Sequence, residues 1–476
     1  MTVSPKHAVI VGGGITGLAT TSALLEQARA AGVPLVCTLI EAGTEWGGKI
    51  RTRRRDGFVL EAGPDSFLSQ KPWGVALCEH LGLSDQLINT KTSDEKAAVY
   101  SRGRLRPLPE GLVVVVPSRL GPFLRSGLLS WTGMLRMGLD FVLPPSQLTG
   151  DESIAGFFRR RLGREAFDRV IEPLMAGIYA GDAEQISLCA TFPKFRELER
   201  RHGSVLRGIL AGRQAARQSE RTTFVTLRDG LGTLVEALVA RLRADGATLI
   251  LGRRIQGFRA RSAPTPGYDL RFDDGGAVSA DAVILTTPAY VTADLIHSLS
   301  PAAADLLAMI PYASTATISL AYPTTDLGPG VKGYGFVVPR IEGRDLLAAT
   351  WTSLKWPHRA PAGHTLVRCY LGGVGREHIL AGDDDILIRF VRGELARIAG
   401  VRGEPLFAEV SRWTRAMPQY TLGHVERLEQ MDVLLEPHRG LHLTGASYRG
   451  IGIPDCIRDA GETASKVVAR FRAASH

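Results

Sequence analysis

The chain has 476 residues, 45% apolar and 22% charged, a balance that excludes a disordered protein and leaves room for about three structural units of roughly 150 residues. Lys and Arg number 57 against 48 Asp and Glu, and the resulting formal charge of +9 suits an acidic ligand or an anionic surface without choosing between them. Five scattered cysteines, with no Cys-x-x-Cys pair, exclude a disulfide framework and fit a reducing compartment. Residues 7–11 are a short apolar run that ends in Gly12-Gly-Gly-Ile-Thr-Gly17. An Ala/Leu-rich stretch, 18–31, and a second apolar run, 35–40, complete a strand–turn–helix–strand unit. From about 100 to 220 the texture changes to Pro-punctuated Leu/Phe/Met stretches, and this region is expected to be mainly helical. A helix is expected over 234–244, strands over 248–251 and 281–286, and a hairpin pairing 268–272 with 277–279 across Asp273-Asp-Gly-Gly276. Residues 310–410 mix strand-like runs (316–322, 346–352, 365–371) with one helix near 385–398, and the chain closes on a strand, 440–445, and a helix, 457–472. No apolar leader is visible at the N-terminus. The most apolar long stretch, 126–143, contains Arg136 and Asp140, so no membrane span is expected and a cytoplasmic location is.

The glycine run has a mechanical reading. Gly12 permits a tight turn, Gly14 lets the backbone approach a diphosphate, and Gly17 lets helix and strand pack closely. The helix N-terminus behind them offers free N–H groups and a favourable dipole to negative charge. Glu41, 24 residues past Gly17 (41 − 17) and at the end of the next strand, is placed to accept hydrogen bonds from ribose hydroxyls. A carboxylate there disfavours a 2′-phosphate and hence NADP, while NAD and FAD both remain open on this unit alone.

The continuation, Glu41-Ala-Gly-Thr-Glu-Trp-Gly-Gly-Lys-Ile-Arg-Thr52, resembles the extended fingerprint of the superfamily of FAD-dependent amine oxidases, phytoene desaturases and protoporphyrinogen oxidases. Glu61-Ala-Gly-Pro-Asp-Ser-Phe67, Leu443-Thr-Gly-Ala-Ser447 and Gly450-Ile-Gly-Ile-Pro-Asp-Cys-Ile457 are similar to its other cofactor-facing segments. Glu172-Pro-Leu-Met-Ala-Gly-Ile-Tyr-Ala-Gly-Asp182, Trp413 and Met417-Pro-Gln-Tyr420 narrow the resemblance to the porphyrinogen oxidases of Gram-positive bacteria. It implies an α/β fold with a Rossmann-type FAD domain assembled from three stretches, 1–95, 222–295 and 410–476. With it go a helical domain, 96–221, and a mixed α+β substrate domain, 296–409. The implied cofactor is FAD, contacted by Gly12, Gly13, Gly14, Ile15, Thr16, Gly17, Glu41, Ala42, Gly48, Lys49, Gly63, Pro64, Asp65, Ser66, Ile255, Trp413, Ile451, Gly452 and Ile453. The implied reaction is oxygen-dependent oxidation of coproporphyrinogen III to coproporphyrin III, with protoporphyrinogen IX as the alternative substrate. Lys71 is the first candidate for a propionate partner, Lys96 and Arg51 are weaker ones, and Ile178 is placed near the macrocycle. The implied partners are the porphyrinogen, O₂, the next enzyme of heme synthesis and a membrane surface touched peripherally; no nucleic acid is among them. No side chain is assigned as a general base, because the cofactor carries the chemistry.

Other features read as structural. His438 and His442 are separated by Gly440 and follow Pro437, so they do not share a helix face as metal ligands would. The clusters Arg51–Arg55 and Arg159–Arg161 lack interleaved aromatics and read as solvated faces. Asp383-Asp-Asp385 reads as a helix cap, Trp351 and Trp356 as core, and Cys456 as a small buried residue at a helix start. Two rival readings stay open: another FAD amine oxidase or desaturase, and a redox-silent flavoprotein of the heme pathway. An amine oxidase would carry paired aromatics near the last strand, where this chain has Tyr448 alone.

Overall fold

A computed structural model describes residues 4–474 apart from 92–96, 109–111, 114–115, 118–125, 148–149, 216–220 and 262–265. Its organising element is a five-stranded, all-parallel sheet in the order Thr248–Leu251, Leu35–Glu41 (β2), Lys6–Val11 (β1), Ala282–Leu285, Leu441–Leu443. Successive side chains of a strand point to opposite faces, and β1 is buried on both. Ala8 and Ile10 join the helix Ile15–Ala30 (α1), the helix Gly232–Ala244 and the C-terminal helix Ile453–Ala473 in one core. Val9 and Val11 join a second core under an antiparallel sheet of Ile255–Arg261, Gly267–Phe272 and Ala277–Ala280. The last two strands are the expected hairpin, with Tyr268 opposite Ala280 and a turn that takes Gly275 to φ +87°.

A seven-stranded sheet forms the second body, in the order Phe407–Pro418, Tyr312–Pro323, His364–Gly372, Leu346–Trp351, Gly335–Val337, Ala98–Ser101, Arg104–Pro107. The helix Asp384–Ala399 packs on it, capped where Asp383 Oδ1 accepts the Ile386 N–H at 2.8 Å. Helices between 131 and 215, among them Trp131–Gly138, Ile154–Leu162, Glu172–Tyr179 and Val205–Ala215, enclose a third core.

Several sequence expectations are corrected. The region from 100 is not helical at its start: 98–101 and 104–107 form a hairpin on the positive-φ pair Arg102 and Gly103, and 98–101 pairs in parallel with 335–337. The strand 407–418 belongs to the seven-stranded sheet through its pairing with 312–323, so the third stretch returns to the parallel sheet only at Leu441. The C-terminal helix starts at Ile453, with Pro454 in its first turn, where a missing N–H costs nothing. Arg161 is fully buried, its Nε 2.5 Å from Asp140, and the half-buried Arg160 pairs with Glu152 and Glu199, so these two belong to an ion network and not to a solvated face; Arg159, 36% exposed, pairs with Asp168 and Glu184 at its edge. Trp351 and Trp356 are core residues.

Candidate dinucleotide and flavin site

The site begins at the turn between β1 and α1. Gly12 adopts φ +112°, a conformation that side chains resist, and its carbonyl accepts the Thr286 hydroxyl at 2.9 Å. A Cβ on Gly17 would lie 1.8 Å from that carbonyl oxygen, so only glycine lets the helix start this close to the strand. A Cβ on Gly14 would meet nothing within 4 Å. That open space lies at the N-cap of α1, which no side chain caps, and the first helical N–H groups have no partner within the helix. Neither steric crowding nor a cap explains a glycine there, whereas a diphosphate cradled by backbone explains both features.

Glu41 ends β2 beside this turn. Its Oε2 accepts the Gly13 N–H and its Oε1 the Gly43 N–H, both at 2.6 Å. These bonds fix the carboxylate while leaving each oxygen a further lone pair for a hydroxyl donor. Trp46 covers Gly13, and Gly47 donates its N–H to the Gly13 carbonyl. Gly48 brings the chain so near that a Cβ would stand 3.2 Å from the Gly14 Cα. Ala42 is exposed beside Glu41, and Ile255 is buried in the core under the second face of the parallel sheet.

The segment 61–66 is held from three sides. The Ala62 carbonyl accepts from Trp413 Nε1 (2.8 Å), Thr317 Oγ1 (2.8 Å) and Arg368 Nη2 (3.1 Å), and Arg368 also binds the Gly63 carbonyl. A Cβ on Gly63 would fall 1.7 Å from the Lys49 carbonyl oxygen, which welds this segment to the Gly-Gly-Lys turn. Burial alone would raise the Asp65 carboxyl, but Lys355 and Arg368, with the Ser66 hydroxyl, outweigh it and hold the group at about 2. Behind them lies the ion pair of Glu61 and Arg359, at 3.2 Å and 4% and 0% exposed. Burial lowers the pKa of the Lys49 ammonium, which donates to the Ala416 carbonyl.

The last wall is the loop 444–452 and the C-terminal helix. Asp459 Oδ2 accepts the Thr444 hydroxyl and the Gly445 N–H, and a Cβ on Gly445 would reach within 3.4 Å of Thr16. The Tyr420 hydroxyl donates to the Ala446 carbonyl and accepts the Gly450 N–H, tying both ends of the loop together. Gly452 caps the helix without a side chain, Ile453 is buried, and Ile451 packs on the helical domain's core. Cys456 is buried there, and burial pushes its thiol up to about 11. Tyr448 is also buried, its hydroxyl toward Thr292 at 3.5 Å, so it is not one of a pair of aromatics framing an open site.

Of the proposed substrate residues, Ile178 is 41% exposed, one position before Tyr179, whose carbonyl accepts Gln419 Nε2. Arg51 keeps an exposed guanidinium over the Trp413 ring, 5.8 Å from its centroid. Lys71 is not a free cation: its ammonium lies 2.5–2.7 Å from both oxygens of Asp455. Lys96 lies outside the described residues. Arg368, Thr317 and Asp459 are not legible as site residues, since nothing local distinguishes them from other polar strand and helix positions; Tyr420 falls in the segment 417–420 that carries the resemblance, without a role of its own there. Only the Pro-Asp step after Gly452 carried a signal, that of a helix start with an acidic first turn.

Residues 15–468 match the family described as flavin containing amine oxidoreductase. A coproporphyrinogen III oxidase of Bacillus subtilis is 38% identical over 98% of both chains. One from Propionibacterium freudenreichii is 36% identical over 97% of this chain and 90% of its own, and a chloroplastic protoporphyrinogen oxidase of Arabidopsis thaliana is 33% identical over 96% and 87%. Among solved structures, an Exiguobacterium protein provisionally named protoporphyrinogen oxidase superposes with a TM-score of 0.85 at 33% identity, covering 98% of this chain and 99% of its own. A reduced UDP-galactopyranose mutase (TM-score 0.70, 17% identity, 98% and 94% covered) shares the fold. With a cradle that fits a flavin dinucleotide and a match that runs nearly the length of the chain, the protein belongs to the flavin containing amine oxidoreductase family.

Proposed function

We propose that the protein oxidises coproporphyrinogen III to coproporphyrin III in heme synthesis. What carries this reading is similarity to coproporphyrinogen III oxidases along 98% of the chain, supported by a glycine turn at 12–17 and a helix start at Ile453 that both lack side-chain caps. Bound FAD would supply the two-electron acceptor that O₂ reoxidises to give H₂O₂. A porphyrinogen loses six hydrogens on becoming a porphyrin, so three such rounds balance one substrate against three O₂ and three H₂O₂.

The chain's own part is to bind, orient and exclude water. The glycine turn and Glu41 hold the dinucleotide, and the thrice-bonded Ala62 carbonyl fixes the segment 61–66 beside it. Ile178 offers apolar surface to the macrocycle. Arg51, exposed above Trp413, is the better placed cation for a propionate: its own partner, Glu45, is exposed and 3.7 Å away, whereas Lys71 is held at 2.5–2.7 Å by both oxygens of the buried Asp455. The test is porphyrin fluorescence from purified protein given each porphyrinogen. Faster oxidation of coproporphyrinogen III is expected; preference for protoporphyrinogen IX overturns the substrate, and inactivity of yellow protein on both overturns the reaction.

The reading includes a cytoplasmic location with peripheral contact to an anionic lipid surface through 131–142. No helix among the described residues is long and apolar enough to cross a membrane. Trp131, Leu135, Leu139 and Val142 are nevertheless 78%, 74%, 47% and 74% exposed. The charged residues between them turn inward, Arg136 to the carbonyls of 159–161 and Asp140 to Arg161, so the outward face is left uncharged and largely apolar. The exposed Arg207 beside the Phe141 carbonyl adds a cation at its edge. Sedimentation with anionic vesicles should fall when Trp131 and Leu135 are both replaced by Ser; unchanged binding refutes the contact.

A further inference from the structure

We infer that Lys71 and Asp455 form a charge-balancing pair that sets the electrostatic potential of the flavin site; the inference rests on the cofactor reading above. Lys71 precedes the helix Pro72–His80, and Asp455 is the third residue of the C-terminal helix. The Asp455 side chain is 8% exposed and that of Lys71 40%. The carboxylate lies against the glycine loop: a Cβ on Gly452 would stand 2.9 Å from its Oδ2 and one on Gly450 2.5 Å from its Cβ. The other end of that loop reaches α1, where a Cβ on Gly445 would stand 3.4 Å from Thr16 in the first turn, so one loop links the uncapped N-terminus of α1 to that of the C-terminal helix, where the pair sits.

The surrounding charges explain why the pair matters. Asp455 immediately precedes the buried Cys456 in the C-terminal helix, Asp459 lies one turn further along it, and Lys49 bears on the same thiol. With Lys71 the set has two cations and two anions. Lys49 donates to a backbone carbonyl and Asp459 accepts from a hydroxyl and an N–H, all neutral groups. Among the described residues, Lys71 with Asp455 is therefore the direct cation–anion contact of this set. Removing Lys71 leaves an unmatched, largely buried carboxylate beside the cofactor loop, and a flavin gains electrons on reduction. The uncompensated anion opposes that gain, because in a partly desolvated site charges act on each other more strongly than in water. Lys71 is in this sense a positioning residue for charge, acting through Asp455.

The experiment is a spectroelectrochemical titration of the bound flavin in four forms: wild type, Lys71→Met, Asp455→Asn and the double variant. Lys71→Met should disfavour reduction about tenfold, a fall of roughly 30 mV for a two-electron couple. Asp455→Asn should shift it the opposite way, and the double variant should return close to wild type. A packing role alone would change thermal unfolding and flavin content without this reciprocal pattern. If Lys71→Met unfolds, Asp455→Asn, which keeps the shape of the side chain, carries the test by its upward shift. Bound flavin with an unmoved potential in the single variants overturns the inference and leaves the cofactor reading intact. A raised KM for coproporphyrinogen III in Lys71→Met at wild-type potential also overturns it, and makes Lys71 a substrate cation. Wild-type protein that takes up no flavin overturns the cofactor reading, and the inference with it.

Discussion

Replacing Gly14 and replacing Gly17 should separate the two jobs that glycine does in one turn. Gly14 has φ −72° and ψ −179°, an extended conformation open to any residue, and empty space where its Cβ would be. Gly14→Val should therefore fold, at a cost of about 1 kcal/mol for a poorer N-cap. It should lose the cofactor, because the valine fills the space a diphosphate needs. At a flavin concentration one hundred times the dissociation constant, wild type gains about 2.7 kcal/mol from binding, and the variant would gain none. Gly17→Ala acts on the fold itself. Its Cβ would sit 1.8 Å from the Gly12 carbonyl oxygen, a backbone atom, and the Cβ itself is fixed by the helical backbone that bears it, so neither can swing away. Overpacking of this kind costs about 1–3 kcal/mol, and little can move here, so the upper end is expected. Urea unfolding with and without added FAD, together with flavin absorbance of the purified proteins, reads both quantities. Full flavin occupancy in Gly14→Val refutes the cradle, and wild-type stability of Gly17→Ala refutes the steric argument.

Arg359→Ala should destabilise by about 3–5 kcal/mol in denaturant unfolding, because it strands Glu61 in the interior, while a Glu61→Leu, Arg359→Met double variant should recover most of the loss. Acid should weaken the fold through His424, which burial holds at about 4 against an ordinary 6.5 and whose Nδ1 has no partner among the described residues. Since the unfolded chain takes up this proton first, stability is complete above pH 6.5 and falls as pH drops from there to about 4, by roughly 3 kcal/mol in all. Unfolding free energies measured across that window should lose part of their slope in His424→Gln, the rest belonging to His358 and His442, which burial also holds at about 4; an unchanged slope refutes the assignment. Tyr420→Phe removes both bonds that tie the loop 444–452 and should weaken flavin retention in dialysis more than it lowers thermal stability.

Local signals were legible because they arise from neighbours in the chain. The spacing of Gly12, Gly14 and Gly17 specifies a turn whose geometry the structure reproduces, and Glu41 falls beside it because a helix and a strand of ordinary length intervene. The hairpin of 267–272 with 277–280 and the Asp383 cap follow from turn and cap chemistry spanning a few residues. The hairpin 98–107 is not legible locally because its strands are four residues long and its first strand is fixed by pairing with 335–337, which no local periodicity announces.

What the sequence determined by itself was the binding unit, its preference for a dinucleotide without a 2′-phosphate, and the positions of the glycine-rich segments. Which of those segments meet, and what neutralises their charges, was decided only in three dimensions. Lys71 finds Asp455 from 384 residues away, and the Ala62 carbonyl collects donors from three strands of another sheet. A lysine in a sequence looks the same whether its counter-ion is a substrate carboxylate or an aspartate of its own chain. The difference is set by how the C-terminal helix packs against the helix Pro72–His80, and that packing is a sum of non-local apolar contacts that no single stretch of the chain encodes.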